Sequence, residues 1–364
     1  MDNVSELKGM LNGFLNWNNA RLNCFSSMLL ALFAVKTVNL REIAVAFTSQ
    51  ALIDSRYKRI KRFFARFEID LDVIARWVFK LFVFSKDKQI YLTIDRTNWF
   101  WGKTKINILT LGVAHEGVAI PLLWNLLNKS GNASAEEHKA ILQRFIKLFG
   151  RDFIAGILAD REFASGEFFK WLNANKIPFY IRIKEGSNVC IRNKRIFSAA
   201  NIFTDLNPKS KKEYSMNVWL FGEQVYLAGS RSEKGELMIV ATNQPPKNAI
   251  AIYLRRWEIE MLFQSLKGRG FRFEETHLVH LDRIEKLMAL LVIGFCWAHK
   301  IGEWKADIKP IKLNKYRENR RPQYSFFKYG LELIRDAIIH IKTQKKFLKK
   351  YIELLILPTQ GAFL

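Results

Sequence analysis

Two aspartates and one glutamate stand where the chain could gather charge for chemistry. Asp95 closes the apolar, strand-like run Ile90-Tyr91-Leu92-Thr93-Ile94, and Asp160 closes a second run from Phe153 to Ala159. An acid just past a strand end projects from the sheet edge, where open α/β sheets collect ligands. Alone, each is commonplace, because Asp also ends strands as a turn residue. Glu260 lies in Tyr253-Leu254-Arg255-Arg256-Trp257-Glu258-Ile259-Glu260, a stretch that reads as one long helix continuing to Lys267. At about 100° per residue, Tyr253, Arg256, Glu260 and Lys267 share an arc of roughly 60°. Ile252, Trp257, Ile259, Met261, Leu262, Phe263 and Leu266 make most of the remaining surface apolar. So apolar a helix is largely buried, and a polar stripe on it must face a partner or a cleft. An ordinary i, i+4 ion pair would explain Arg256 and Glu260, but not the aligned Tyr253 and Lys267.

Three carboxylates offer the hard oxygen donors that Mg²⁺, or Mn²⁺ in its place, prefers, with waters and phosphate oxygens completing the shell. Two such ions about 4 Å apart can activate an attacking oxygen and stabilise a leaving one in an in-line phosphoryl displacement. Arg256, Lys267 and the Tyr253 hydroxyl would then grip the flanking phosphates.

The bulk composition agrees. Fifty-eight Lys and Arg against 34 Asp and Glu leave a net charge of +24. That excess calls for a polyanion or a membrane surface as partner. The longest apolar run, Leu287 to Trp297, is too short to span a bilayer, and the start at Met1-Asp2-Asn3 lacks the regions of a secretory leader. Nucleic acid is therefore the expected partner and the membrane is not. Cys24, Cys190 and Cys296 lie far apart and form neither a disulfide framework nor a zinc pair, which fits a reducing cytoplasm. His277 and His280 stand at helical spacing without a third ligand nearby, and read as surface or capping residues.

The elements that must position these residues follow from periodicity. Residues 1–85 read as helical, a DNA-binding region. Within it, Leu40 to Phe47 and Arg56 to Arg66, parted by Thr48-Ser49-Gln50, resemble a helix-turn-helix. Its second helix carries an apolar stripe of Ile60, Phe63, Phe64 and Phe67, with Arg59, Lys61 and Arg62 as candidate DNA contacts. Residues 86–184 read as three strands, helix, strand, helix, strand. The first hairpin turns about His115-Glu116-Gly117, and the helices lie near Ala135 to Phe149 and Ser165 to Asn175. The expected fold class is therefore α/β, with a ribonuclease-H-like core opening on a three-stranded meander. Residues 185–235 read as an inserted β-rich subdomain. Residues 236–304 resume the core with the strand Leu237 to Thr242 and an apolar helix from about Leu281 to Ile301. Residues 305–364 form a basic tail: a loop from Lys305 to Arg321, then a helix near Phe326 to Leu355 bearing Lys342, Lys345, Lys346, Lys349 and Lys350.

The spacing Tyr-x2-Arg-x3-Glu-x6-Lys at Tyr253, Arg256, Glu260 and Lys267 resembles the YREK motif of the insertion-sequence-four type of DDE transposases. The resemblance extends to Thr93-Ile94-Asp95-Arg96-Thr97-Asn98-Trp99, and to Ala159-Asp160-Arg161-Glu162-Phe163 with Phe168, Phe169 and Trp171 after it. It covers roughly residues 35–300 and implies that Asp95, Asp160 and Glu260, not Glu258, bind the catalytic metals. Tyr253, Arg256 and Lys267 would contact DNA at the transposon end. It implies nicking by water, a DNA hairpin, and attack of the freed 3′-hydroxyl on target DNA, in a bacterial cytoplasm and on the nucleoid when bound. Relatives stack a flipped base on aromatic rings. Trp257 is the first candidate for that role here and Trp219 the second, though Trp219 is expected in the core, and Trp99 and Trp101 are expected to pack. The resemblance implies a homodimer on two DNA ends, while the insertion and the tail after Leu281 are shorter than in the best-known members. A ribonuclease-H-like endonuclease that cuts without joining shares the same acids. A domesticated DNA-binding protein would be marked by loss of one, and all three are present.

Overall fold

The computed structural model describes residues 3–82, 84, 89–191, 196–314 and 322–355. In chain order the elements are α1 (Asn3–Leu15), α2 (Asn19–Val35), α3 (Leu40–Val45), α4 (Ile53–Arg66), α5 (Leu71–Leu81), β1 (Ile90–Trp101), β2 (Thr104–His115) and β3 (Val118–Leu126). Next come α6 (Ala135–Phe149), β4 (Ile154–Ala159), α7 (Gly166–Ala174), β5 (Phe179–Ile183), β6 (Asn188–Cys190), β7 (Ile196–Ser198), β8 (Lys211–Leu220), β9 (Glu223–Arg231) and β10 (Leu237–Thr242). The chain closes with α8 (Ala249–Leu254), α9 (Trp257–Leu266), α10 (Leu281–Ile308), α11 (Phe326–Ile339) and α12 (Ile341–Glu353). Residues 315–321 of the expected basic loop, and the segment after Leu355, lie outside the described residues.

These elements divide between two compact units. Residues 84–97 and 107–262 form one, and residues 1–83, 98–106 and 263–364 form the other. The first is a mixed α/β unit whose sheet runs β3-β2-β1-β4-β5-β10-β9-β8-β6-β7. β2 and β3 pair antiparallel, while β4 lies parallel to β1 and β5 parallel to β4. The expected meander, helix, strand, helix, strand order is therefore present. Local chemistry fixes the helix starts. Ser134 and Glu137 form a reciprocal capping box at α6, and the Ser165 hydroxyl accepts from Phe168 N–H at α7. The segment 185–235 carries β6, β7, β8 and β9, and these strands do not form a layer of their own. Its strands β9, β8, β6 and β7 continue the same sheet, entered through the antiparallel pairing of β10 with β5 and β9.

The second unit is helical and draws on both ends of the chain. α10 is buried along nearly its whole length from Ile284 to Gly302, and α11 crosses it closely. At that crossing a Cβ on Gly330 would fall on the Ala298 carbonyl, and one on Gly302 would fall on the Phe326 carbonyl. Glycine is required there so that the two backbones can touch. α4 turns Ile60, Phe63 and Phe64 inward and leaves Lys58, Lys61, Arg62 and Arg66 exposed. No helix among the described residues is long and apolar enough to cross a membrane.

Three expected boundaries differ. β1 continues through Asp95 to Trp101, so the acid sits within a strand and not past its end. The tail helix is two helices, α11 and α12, broken at His340, whose ring meets Asp336 at 2.9 Å. The expected long helix through Tyr253 and Glu260 is also interrupted, at Arg255 and Arg256.

Candidate active site

The interruption between α8 and α9 has a visible cause. Arg255 N–H bonds Ile252 O at 3.1 Å and Arg256 N–H bonds Tyr253 O at 2.8 Å, a tightening to i→i−3 spacing. Tertiary contacts hold the tightened turn. Arg255 Nη2 donates to Ala114 O at 2.7 Å, and the Thr93 hydroxyl donates to Arg256 O at 3.5 Å. A continuous 3.6-residue wheel therefore does not describe Tyr253 to Lys267, and the polar stripe read from it is replaced by a convergence in three dimensions.

At that convergence Arg256 is the centre. Its guanidinium reaches Asp95 Oδ2 through Nη1 at 3.1 Å and Glu260 Oε1 through Nη2 at 2.6 Å, while the residue is only 5% exposed. The i, i+4 pair is thus real, and it shares its cation with the aspartate on β1. Tyr253 is 1% exposed, its ring in the sheet core with Leu158, Tyr180 and Val240. Its hydroxyl donates to Asp160 Oδ1 at 3.5 Å. Arg182 of β5 adds a second approach to Asp160, Nη1 to Oδ1 at 4.0 Å. Arg182 is not among the residues expected from the sequence, and its signal there is a lone cation in the apolar strand Phe179-Tyr180-Ile181-Arg182-Ile183.

Strand register explains why Asp95 and Asp160 meet this helix pair. Ile94 is paired with Ala159 across the parallel β1–β4 ladder, and the residue that follows each of them is an acid. Glu258 lies apart from this cluster. It pairs with Arg255 Nε at 3.3 Å, and the His115 backbone N–H also holds its carboxylate. Of the two glutamates on α9, only Glu260 shares Arg256 with Asp95.

The electrostatics follow from burial. Burial pushes the Asp95 carboxyl up to about 6, although the Arg256 charge and the Arg96 N–H pull the other way. Burial likewise raises the Tyr253 hydroxyl to about 12, leaving it a neutral hydrogen-bonding group at neutral pH. The oxygens of Asp95, Asp160 and Glu260 do not all lie within 4.8 Å of one another. The donor set nevertheless fits a hard divalent cation: three carboxylates, with a buried guanidinium acting as counter-ion whose Nε lacks a partner.

Other expected contacts are distributed differently. Lys267 follows the end of α9 and belongs to the helical unit, where Nζ pairs with Glu274 at 2.8 Å and lies 5.0 Å from the Trp99 ring centroid. Trp257 is 54% exposed beside Arg256, and Trp219 is 49% exposed, so neither is a core tryptophan. For Trp219 this overturns the expectation, because β8 turns Val218 and Leu220 inward and the residue between them outward. Trp99 and Trp101 do pack, against Phe273 and His277 respectively. His277 and His280 lie in the loop before α10, not on a helix, and His280 occupies the N-cap position without a side-chain cap bond. On α4, Lys61 and Arg62 are exposed, whereas Arg59 donates to Ala20 O and Asn23 Oδ1 of α2.

A carboxyl whose pKa is higher folded than unfolded is destabilised in its charged form. Wild-type stability should therefore fall as pH rises from about 4 to about 6 and carry the full penalty above that. Asp95→Asn should melt higher than wild type at pH 7.5 in the presence of a chelator, with the gap closing toward pH 4.5. An Asp95→Asn variant that melts lower at pH 7.5 would contradict this electrostatic reading.

Comparison with known proteins places the chain in a group. The family described as "Transposase DDE domain" matches residues 114–297, about half of the sequence. No curated protein matches. Among solved structures the chain is similar to a cryo-EM structure of a piggyBac transposase synaptic complex with hairpin DNA. Identity is 10% and the TM-score 0.45, over 99% of this chain and 84% of that one. By the sequence match, the chain belongs to the transposase DDE domain family.

Proposed function

We propose that this family member is a cut-and-paste transposase of the insertion-sequence-four type, with a ribonuclease-H-like core and a YREK motif. It binds the terminal inverted repeats of its own element as a homodimer, cleaves DNA by Mg²⁺-dependent or Mn²⁺-dependent hydrolysis, and joins the 3′-hydroxyl ends to target DNA. One observation carries the reading. Arg256 is shared between Asp95 and Glu260 while Tyr253, from the preceding helix, reaches Asp160. Contacts through Arg256 and Tyr253 thus link β1, the turn after β4 and the broken helix, and this supports the reading.

In this reading Asp95, Asp160 and Glu260 are the metal ligands. Bound divalent ions would supply charge to the attacking and leaving oxygens of each phosphoryl displacement. Arg256 compensates the acids before loading, and once released from Asp95 it is a buried guanidinium within reach of a phosphate. The Tyr253 hydroxyl orients Asp160, and Lys267, on the helical unit, would contact DNA at the transposon end. The exposed ring of Trp257 offers a stacking surface to a base extruded during a hairpin step. Lys61 and Arg62 on α4 are the exposed part of an N-terminal DNA-binding region spanning residues 1–85. Arg59, tied to α2, supports that region internally. The divisions 86–184, 185–235, 236–304 and 305–364 stand in this reading as core, β-rich addition, core and basic tail.

The test uses the full chain, Mg²⁺, and duplexes carrying the ends of the element that encodes it. Wild type should cut at the element's ends and then join them to target DNA. Glu260→Gln should bind the ends with wild-type affinity and cut no faster than background. Lys61→Ala with Arg62→Ala should weaken end binding and flatten its salt dependence. Undiminished cutting by Glu260→Gln would remove the catalytic assignment, and cutting without any joining would make the protein an endonuclease instead.

A further inference from the structure

Asp95 and Asp160 need more than a shared ladder, because β4 stops at Ala159 and Asp160 begins a single 3-10 turn over Arg161–Phe163. The ladders on both sides of β4 end at Ala159, opposite Ile94 of β1 and Ile181 of β5, so neither reaches the turn itself. On β1 the residue after Asp95 is Arg96, and successive side chains of a strand leave opposite faces. Arg96 meets the turn there. Nε and Nη2 reach the two carboxylate oxygens of Glu162 at 2.9 Å each, a bidentate fork between the neighbours of the two aspartates.

The fork is itself anchored. Arg96 Nη1 donates to Asn107 Oδ1 at 2.9 Å and Nη2 to Asn132 Oδ1 at 2.8 Å. Asn107, fully buried on β2, donates in turn to Lys129 O and Gly131 O. The backbone N–H of Arg96 also bonds Asp95 Oδ1 at 2.7 Å. On the far side of the turn the Phe163 ring lies 4.4 Å from the buried ring of His138 on α6. The segment bearing Asp160 is thereby gripped at Glu162 and at Phe163.

We infer that Arg96 and Glu162 form a clamp that sets Asp160 at a fixed position relative to Asp95, as positioning residues for the metal site. This rests on the metal-dependent reading above. A planar guanidinium fixes both distance and orientation, which an ammonium does not, so Arg96→Lys keeps the charge and removes the fork. Glu162→Gln keeps the shape and removes the charge.

The experiment measures Mn²⁺ binding to the full chain by calorimetry, and the Mn²⁺ concentration for half-maximal cleavage of an end duplex. Arg96→Lys and Glu162→Gln should each weaken Mn²⁺ binding and raise that concentration by about 10- to 100-fold. Saturating Mn²⁺ should restore most of the cleavage rate, and end binding should stay at the wild-type level. The double variant should be no worse than the worse single, since both remove the same fork. A pair that only supports the fold would lower the melting temperature without shifting the Mn²⁺ requirement, and that result would overturn the clamp. Independent, additive effects of the two variants would overturn it as well. If one variant does not fold, the other carries the same Mn²⁺ test. A wild type that neither binds Mn²⁺ nor cuts would remove the metal-dependent reading and the clamp with it. Wild-type behaviour in both variants, beside a functional wild type, would remove the clamp alone.

Discussion

A guanidinium taken out of water is stable only where carboxylates meet it, and the site is organised around that constraint. Arg256 is buried between Asp95 and Glu260, and its guanidinium would be costly there with both carboxylates removed. Asp95 is the most strained member. Even with the guanidinium beside it, burial holds its carboxyl well above the usual range. A desolvated aspartate held beside a buried guanidinium is an unfavourable arrangement for a fold. The proposed loading with metal and phosphate would relieve it.

The break between α8 and α9 makes this cluster possible. A straight helix would carry Arg256 along a regular stripe, whereas the tightened turn delivers its guanidinium to β1 and still leaves Glu260 one helical turn away. The turn is fastened from the sheet by Ala114 O and the Thr93 hydroxyl. Thr93 lies two residues before Asp95, so the strand that carries the first acid also holds the backbone that presents the third. The second acid is brought by register, through Ile94 opposite Ala159, and its turn is held by Arg96 and Glu162. Each carboxylate is thus placed by a different device.

Much of this was legible in the chain, for identifiable reasons. α6 runs from Ala135 to Phe149 as its apolar spacing implies, and β4 ends at Ala159, one residue before Asp160, as its apolar run implies. The convergence of Tyr253, Arg256 and Glu260 was legible as a spacing, but the helix break was not. Nothing in Leu254-Arg255-Arg256-Trp257 interrupts helical periodicity, and the cause lies in atoms more than a hundred residues away in sequence. For the same reason the strands of 185–235 were visible as strands while the sheet they join was not, since pairing partners are not a local property. β1 running past Asp95 was hidden by the polar stretch Arg96-Thr97-Asn98. Arg59 shows the limit of reading charge as function: on a helical wheel it resembles Lys61, yet its hydrogen bonds to α2 give it an internal task.

The most direct measurement is anomalous diffraction from crystals of the full chain soaked in Mn²⁺. The predicted result is a manganese peak coordinated by Asp95 and Asp160, with Glu260 turned toward it and Arg256 no longer paired with Asp95. Arg256 still bridging Asp95 and Glu260 at saturating Mn²⁺, with no peak among the three carboxylates, would contradict the site itself.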